Sequence, residues 1–290
     1  MANQNEGTSL LSEGAITLVT GYVGGGDPVT QKIRFNSFDD DYLLSRNVHM
    51  PLTKKAMQYW AKAMPGLGWD SAGGLIDQYN PALVLDPEFM GFNHDGTELF
   101  VGLQENSALA RIDTATGNVL SIDGYGLKPI TEGAGADILD DGECKLVTSP
   151  CLYLNRNPDG IDTVQYNGVD YILTANEGSD FDLGDYEEKQ DSNDIFTANG
   201  GFALANFTFS PEIEACRANF AEDCESKGLE WCSNFELTIG SSAVDYSNTS
   251  APRMTRVVGF GGRGMSIFRL SSNAEESMTL VFDSVSTLQL

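Results

Sequence analysis

Apolar residues fall in short, β-branched and aromatic runs: Ala15–Thr20, Thr30–Phe35, Glu98–Leu103, Ala108–Asp113, Tyr171–Ala175 and Leu280–Asp283. Turn-forming groups punctuate them, Asn93-His94-Asp95-Gly96, Thr116-Gly117-Asn118 and Asn167-Gly168 among them. Such spacing predicts antiparallel strands joined by tight hairpins. One segment departs from it. From Thr53 to Met64 the apolar positions Ala56, Met57, Trp60, Ala61 and Met64 recur at helical spacing, with Thr53 as N-cap and Pro65 as stop. This predicts an amphipathic helix in an insertion over 51–65. A second short helix is expected near Pro211–Ala221, inside a Cys-rich insertion over 205–250.

Two stretches resemble each other. Asp86-Pro87-Glu88 precedes a strand, a hairpin and a second strand that runs into Gln104-Glu105-Asn106; Asn157-Pro158-Asp159 precedes the same series, ending at Asn176-Glu177-Gly178. Asn5-Glu6-Gly7 resembles the end of a further unit. The three Glu are separated by 99 and 72 residues, which fits repeated units with unequal insertions. Repeated four-stranded units predict an all-β chain of β-propeller type, with irregular or incomplete blades and one or two helical insertions, in a single domain over 1–290. An incomplete propeller leaves sheet edges open, so closure against missing sequence, another protein chain or a second copy is expected.

The 290 residues hold 42 Asp and Glu against 17 Lys and Arg, a formal charge of −25. Nucleic acid and anionic membrane are excluded as natural partners of such a surface, and no apolar run is long enough to cross a bilayer. The five cysteines, 144, 151, 216, 224 and 232, contain no Cys-x-x-Cys pair. Their spacing suits local disulfides within 144/151 and within 216/224/232, one thiol at least remaining unpaired in the chain. Sequons at Asn206 and Asn248 join them in pointing to an extracellular or cell-surface glycoprotein, although no leader is visible. Buried thiols and chance sequons are the alternative.

Candidate chemistry follows from the acids. Glu6, Glu105 and Glu177 recur at strand ends beside amide residues, and Asp180, Asp182 and Asp185 follow in an acidic loop. Converging carboxylates and amide oxygens suit calcium; the alternative is that these Glu cap turns and that the loop is simply solvated. Arg263 in Gly261-Gly262-Arg263-Gly264 is a candidate anion-binding cation, with Lys128 beside it, or else an ion-pair partner for a neighbouring acid. Only His49 and His94 could serve a nucleophilic triad, and neither is well placed for one.

Six segments taken in order carry a family resemblance: Asp86–Met90, Leu103–Ala108, Gly126–Lys128, Pro158–Ile161, Thr174–Gly178, and Phe260–Ile267 with Val281–Ser284. Together they resemble the choice-of-anchor I domain, also called the mesenchyme-specific cell surface glycoprotein family. The resemblance implies a secreted or surface-attached β-propeller with no established reaction and, relative to its members, a chain holding part of a propeller. Where such members carry an acidic Asp-Gly run this chain has Ala243–Asn248. The functional expectation is a non-catalytic module of adhesion or assembly on the cell surface, with calcium stabilising it where the acids meet. Its alternatives are a calcium-dependent phosphatase-like hydrolase using Glu105, Glu177, Asp180 and Arg263, and a subunit of an extracellular filament or surface layer.

Overall fold

The regular part of the chain is two antiparallel sheets of four strands, each laid down in chain order. A computed structural model describes residues 2–3, 13–20, 27–130, 135, 146, 148–149, 151–197, 206–216 and 235–284. The central sheet consists of Pro87–Phe92, Glu98–Leu103, Ala108–Asp113 and Val119–Gly124. The second consists of Pro158–Tyr166, Val169–Asn176, Gly264–Arg269 and Thr279–Asp283, so that residues 177–263 intervene between its two middle strands. A three-stranded meander, Ala2–Asn3, Ala15–Thr20 and Val29–Arg34, precedes both.

The turn chemistry accounts for the hairpins. Asn167 and Gly168 both take positive φ, 51° and 74°, the requirement of a two-residue turn matched to strand twist. Asn93 accepts from Glu98 N at 3.0 Å and Asp113 from Thr116 N at 2.7 Å, each side chain closing its own loop. Each four-stranded sheet also opens on a proline, Pro87 or Pro158, followed by a register shift to Met90 or Gly160. Proline gives no N–H to a ladder, and a bulge behind it takes up the mismatch. The first strands lie side by side, Ala2–Asn3 against Pro87–Phe92 and Pro87–Phe92 against Pro158–Tyr166.

Smaller sheets fill the long insertion. Lys189–Asp191 pairs with Glu236–Thr238, and Thr208–Phe209 runs parallel to Arg253–Met254. Val257–Gly259 runs parallel to Leu152–Asn155, which pairs in turn with Leu127–Pro129. These two parallel pairings depart from the all-antiparallel pattern of the hairpins. Among the described residues the strands fall into seven separate sheets, and the architecture they show is mostly β, with few helices and many small sheets that are chiefly antiparallel.

The expected helix runs Lys54–Ala63, and Thr53 Oγ1 accepts from Ala56 N at 3.1 Å. Its buried face meets the insertion in an aromatic cluster, where Trp60 lies 5.6 Å from Tyr186 and 6.1 Å from Phe207. The polar ends of these rings are paired: Trp60 Nε1 donates to Tyr246 Oη at 3.2 Å, and Tyr246 donates to Ile239 O at 2.7 Å. Residues 211–216 are helical where the second helix was expected.

The disulfide expectation needs correction. Cys151 bonds to Cys216 across 65 residues, with Cα atoms 6.1 Å apart, and not to a near neighbour. The segment Arg253–Gly259 brings them together, because it pairs with Thr208–Phe209 at one end and with Leu152–Leu154 at the other. Cys144, Cys224 and Cys232 lie outside the described residues.

Candidate functional site

The two four-stranded sheets are joined end to end by buried side chains from the segment between them. Asn157 donates to Gln104 O at 3.1 Å and accepts from Gly261 N at 3.3 Å, while its own carbonyl accepts from Glu177 N and Gly178 N at 3.2 Å. One amide thus holds the turn of the central sheet against the Gly261–Gly264 loop. The close approach demands glycine: a Cβ at Gly261 would collide with the Glu177 carbonyl oxygen, and φ there is 71°. Arg156, also buried, donates to Tyr125 O at 3.1 Å and pairs with Asp283 at 2.8 Å. Ser266 donates to the other Asp283 oxygen at 2.7 Å and accepts from Asn176 at 2.8 Å.

Lys128 belongs to this joint. Buried, it donates to Gly262 O at 2.6 Å and Ser284 O at 3.1 Å. Burial holds its ammonium below the usual lysine range, with nearby Asp283 acting in the opposite sense and Arg156 reinforcing the effect. Arg263, next to this loop, is exposed, takes a positive φ of 43° and has no ion pair among the described residues. The ion pair at this joint therefore belongs to Arg156 and Asp283, and Arg263 is left facing solvent.

An acidic neighbourhood lies beyond the same turn. The Glu105 carboxyl is pushed up to about 9, first by burial and then by Asp86, Glu188, Glu88 and Asp180 around it, and its Oε2 has no hydrogen-bond partner among the described residues. Asp180 is also raised, by burial, although Lys189 sits 3.4 Å away. Glu188 is fully buried and is held by Phe181 N at 3.2 Å, by the Thr238 hydroxyl and by His49 Nε2 at 2.6 Å. His49 is itself tied to the central sheet, its N–H donating to Asn106 O at 2.9 Å and its carbonyl accepting from Asn106 Nδ2 at 3.2 Å.

Of the expected metal residues, the fold brings Glu105 and Asp180 into one electrostatic neighbourhood. Glu177 is exposed on the adjoining backbone; Asp182 lies opposite Glu187 in a two-stranded ribbon, and exposed Asp185 lies in its turn. Glu6 lies outside the described residues. Among those described, no group of three or more His, Cys, Asp or Glu side chains is placed to hold a single ion. Asn206 and Asn248 are both exposed. The buried Arg156 and Asn157, the half-buried Asp283 and the His49–Glu188 pair were not singled out from the sequence. The Asn-Pro-Asp start of the second unit was the available signal for Asn157, whereas nothing local links His49 to a residue 139 positions away.

Sheets of meander type, joined by buried polar staples and carrying a bridged insertion, define a mostly β module. The chain belongs to the choice-of-anchor I family, whose model, the choice-of-anchor I domain, matches residues 2–289. Membership marks it as a surface-associated or extracellular protein, and no helix among the described residues is long and apolar enough to cross a membrane. No curated protein and no solved structure matches the chain.

Proposed function

We propose that this chain is a non-catalytic module of adhesion or assembly on the cell surface, in which the meanders serve as propeller blades and the last strand joins a second copy. One observation carries the reading. Among the described residues Thr279–Asp283 is hydrogen-bonded on one side only, to Gly264–Arg269, and leaves Leu280, Val281 and Phe282 41%, 50% and 46% exposed. An open, apolar edge strand is a template for another strand. Antiparallel pairing with itself, centred on Val281, sets Leu280 against Phe282 and Thr279 against Asp283, so that no two like charges stand opposite each other. Net charge opposes such a union, and salt strengthens it.

Light scattering against concentration and salt tests this. The expected result is a dimer or larger species that grows with both, and a Val281→Lys variant that stays monomeric with an unchanged melt. A monomer under every condition overturns the reading, while long polymers move it to a filament or surface layer.

Calcium is kept as a second proposal because the orphaned, proton-retaining Glu105 is a group that a nearby cation would relieve. A melting temperature that rises in calcium and falls in chelator, with the rise lost in Glu105→Gln, supports it. The phosphatase-like alternative stands or falls with that result, and next with phosphoester turnover that chelation and Glu177→Gln abolish.

A further inference from the structure

A cavity of about 440 Å³ opens beside His49, which is part of its lining. Six separate parts of the chain build it: the end of the Asp40–Ser45 helix with the segment that follows, the turn at Ser107, Gly126 with Leu127, the strand Leu152–Asn155, the Ser241–Ser242 turn, and Arg256. Its size lies within the roughly 300–1,000 Å³ of small-molecule sites.

The lining is unlike the rest of the molecule in charge. Although 42 of 290 residues are acidic, no carboxylate among the described residues lines this cavity. The permanently charged side chain on it is Arg256, which is exposed and has no ion-pair partner among the described residues. In a chain of charge −25, an arginine free of carboxylates is a free anion receptor.

Hydrogen-bond counting gives the same sign. Ser107 accepts from Arg156 N at 3.1 Å, Ser241 from Met50 N at 2.8 Å and Ser242 from Asn155 Nδ2 at 3.3 Å. Each hydroxyl oxygen is thus engaged as an acceptor, and its own hydrogen is left to donate. His49, buried and on the same lining, has an Nδ1 without a partner. A site with three hydroxyl donors and a guanidinium selects a ligand rich in oxygen acceptors that carries a negative charge. The lining also carries apolar groups, Leu44, Val48, Leu127 and the Tyr153 ring, and these ask for a carbon face on the same ligand. Bare phosphate has no such face, and a fatty acid would leave the hydroxyls unpaired.

We infer that this cavity binds an acidic sugar, a ring with one carboxylate, several hydroxyl oxygens and an apolar face. Arg256 takes the carboxylate, the serines take ring oxygens, and Tyr153 covers the carbon face. Glucuronate is the probe, with glucose, acetate and phosphate beside it, in calorimetric titrations and saturation-transfer NMR on the whole chain. Glucuronate is expected to bind at least tenfold more tightly than glucose or acetate, and Arg256→Gln to erase that advantage while leaving glucose binding and the melt unchanged. Ser242→Val is expected to weaken glucuronate about tenfold with acetate unaffected. The inference is overturned if glucuronate fails to bind, if glucose equals it, if Arg256→Gln keeps it, or if acetate or phosphate matches it, which would make the cavity a plain anion site.

Discussion

The central and second sheets share strand number, order and a prolyl bulge at the same end, yet they differ in cover. In the central sheet the two middle strands are buried almost throughout, and the outer strand Val119–Gly124 is buried at Ser121, Ile122 and Asp123. In the second sheet the outer strand Thr279–Asp283 is exposed along nearly its whole length. Topology therefore does not set the role of a sheet here; what packs against it does. A strand covered on both faces contributes stability, whereas the same kind of strand left bare offers recognition.

Substitutions at matched places measure this difference. Phe100 belongs to the buried cluster between the sheets, with Leu109, Tyr125, Ile172 and Phe268. Phe100→Ala is expected to cost about 3–5 kcal/mol in urea unfolding; a loss below about 1 kcal/mol would show the two sheets to be independent. Asn157→Ala removes the amide that joins them and leaves Gly261 N without its acceptor, a cost of about 1–3 kcal/mol by the same measurement.

Glu105 gives a pH-dependent contrast on the turn of the covered sheet. Its carboxyl is raised from 4.5 to about 9, so the folded chain keeps a proton that the unfolded chain has released. The resulting stability is complete below about pH 4.5 and is lost as pH rises towards about 9. Glu105→Gln, which has no proton to lose, is expected to stabilise by about 2 kcal/mol at pH 8 and hardly at all at pH 4, seen in melts across that range. The smallest effect belongs to the bare strand. Phe282→Ala is expected to change dilute-solution stability by less than about 0.5 kcal/mol, its consequence showing only where concentration drives association.

The strands were legible because each is a local event. Ala15–Thr20, Glu98–Leu103 and Ala108–Asp113 coincide with their apolar runs, and their turns rest on Asn, Asp and Gly a few residues away. The repeated Pro and Glu positions likewise mark equivalent strand ends. What the sequence hid depends on distant partners. Trp60 reads as an ordinary helical core residue until Tyr186, Phe207 and Tyr246 close around it. Cys151 gives no sign of choosing Cys216, since the choice is made by two parallel strand pairings. The same limit applies to the candidate site: Lys128 and Arg263 both read as cations for an anion or for a neighbouring acid, and only the buried carbonyls of Gly262 and Ser284 separate their roles.

The insertion inside the second sheet also sets an order of assembly during synthesis. The central sheet is made of hairpins between successive strands and can close once residue 124 has left the ribosome. Thr174 meets Ser266 across 92 residues, so the second sheet waits for nearly the whole chain. Stretching a closure from about 10 to about 90 residues adds about 2 kcal/mol of chain entropy, which only later contacts can offset. Until Gly264–Arg269 arrives, Val169–Asn176 presents an unpaired edge on a half-made sheet. The nascent protein therefore passes through a stage that is stickier than its finished form, and the cell's holding chaperones are needed most at that point.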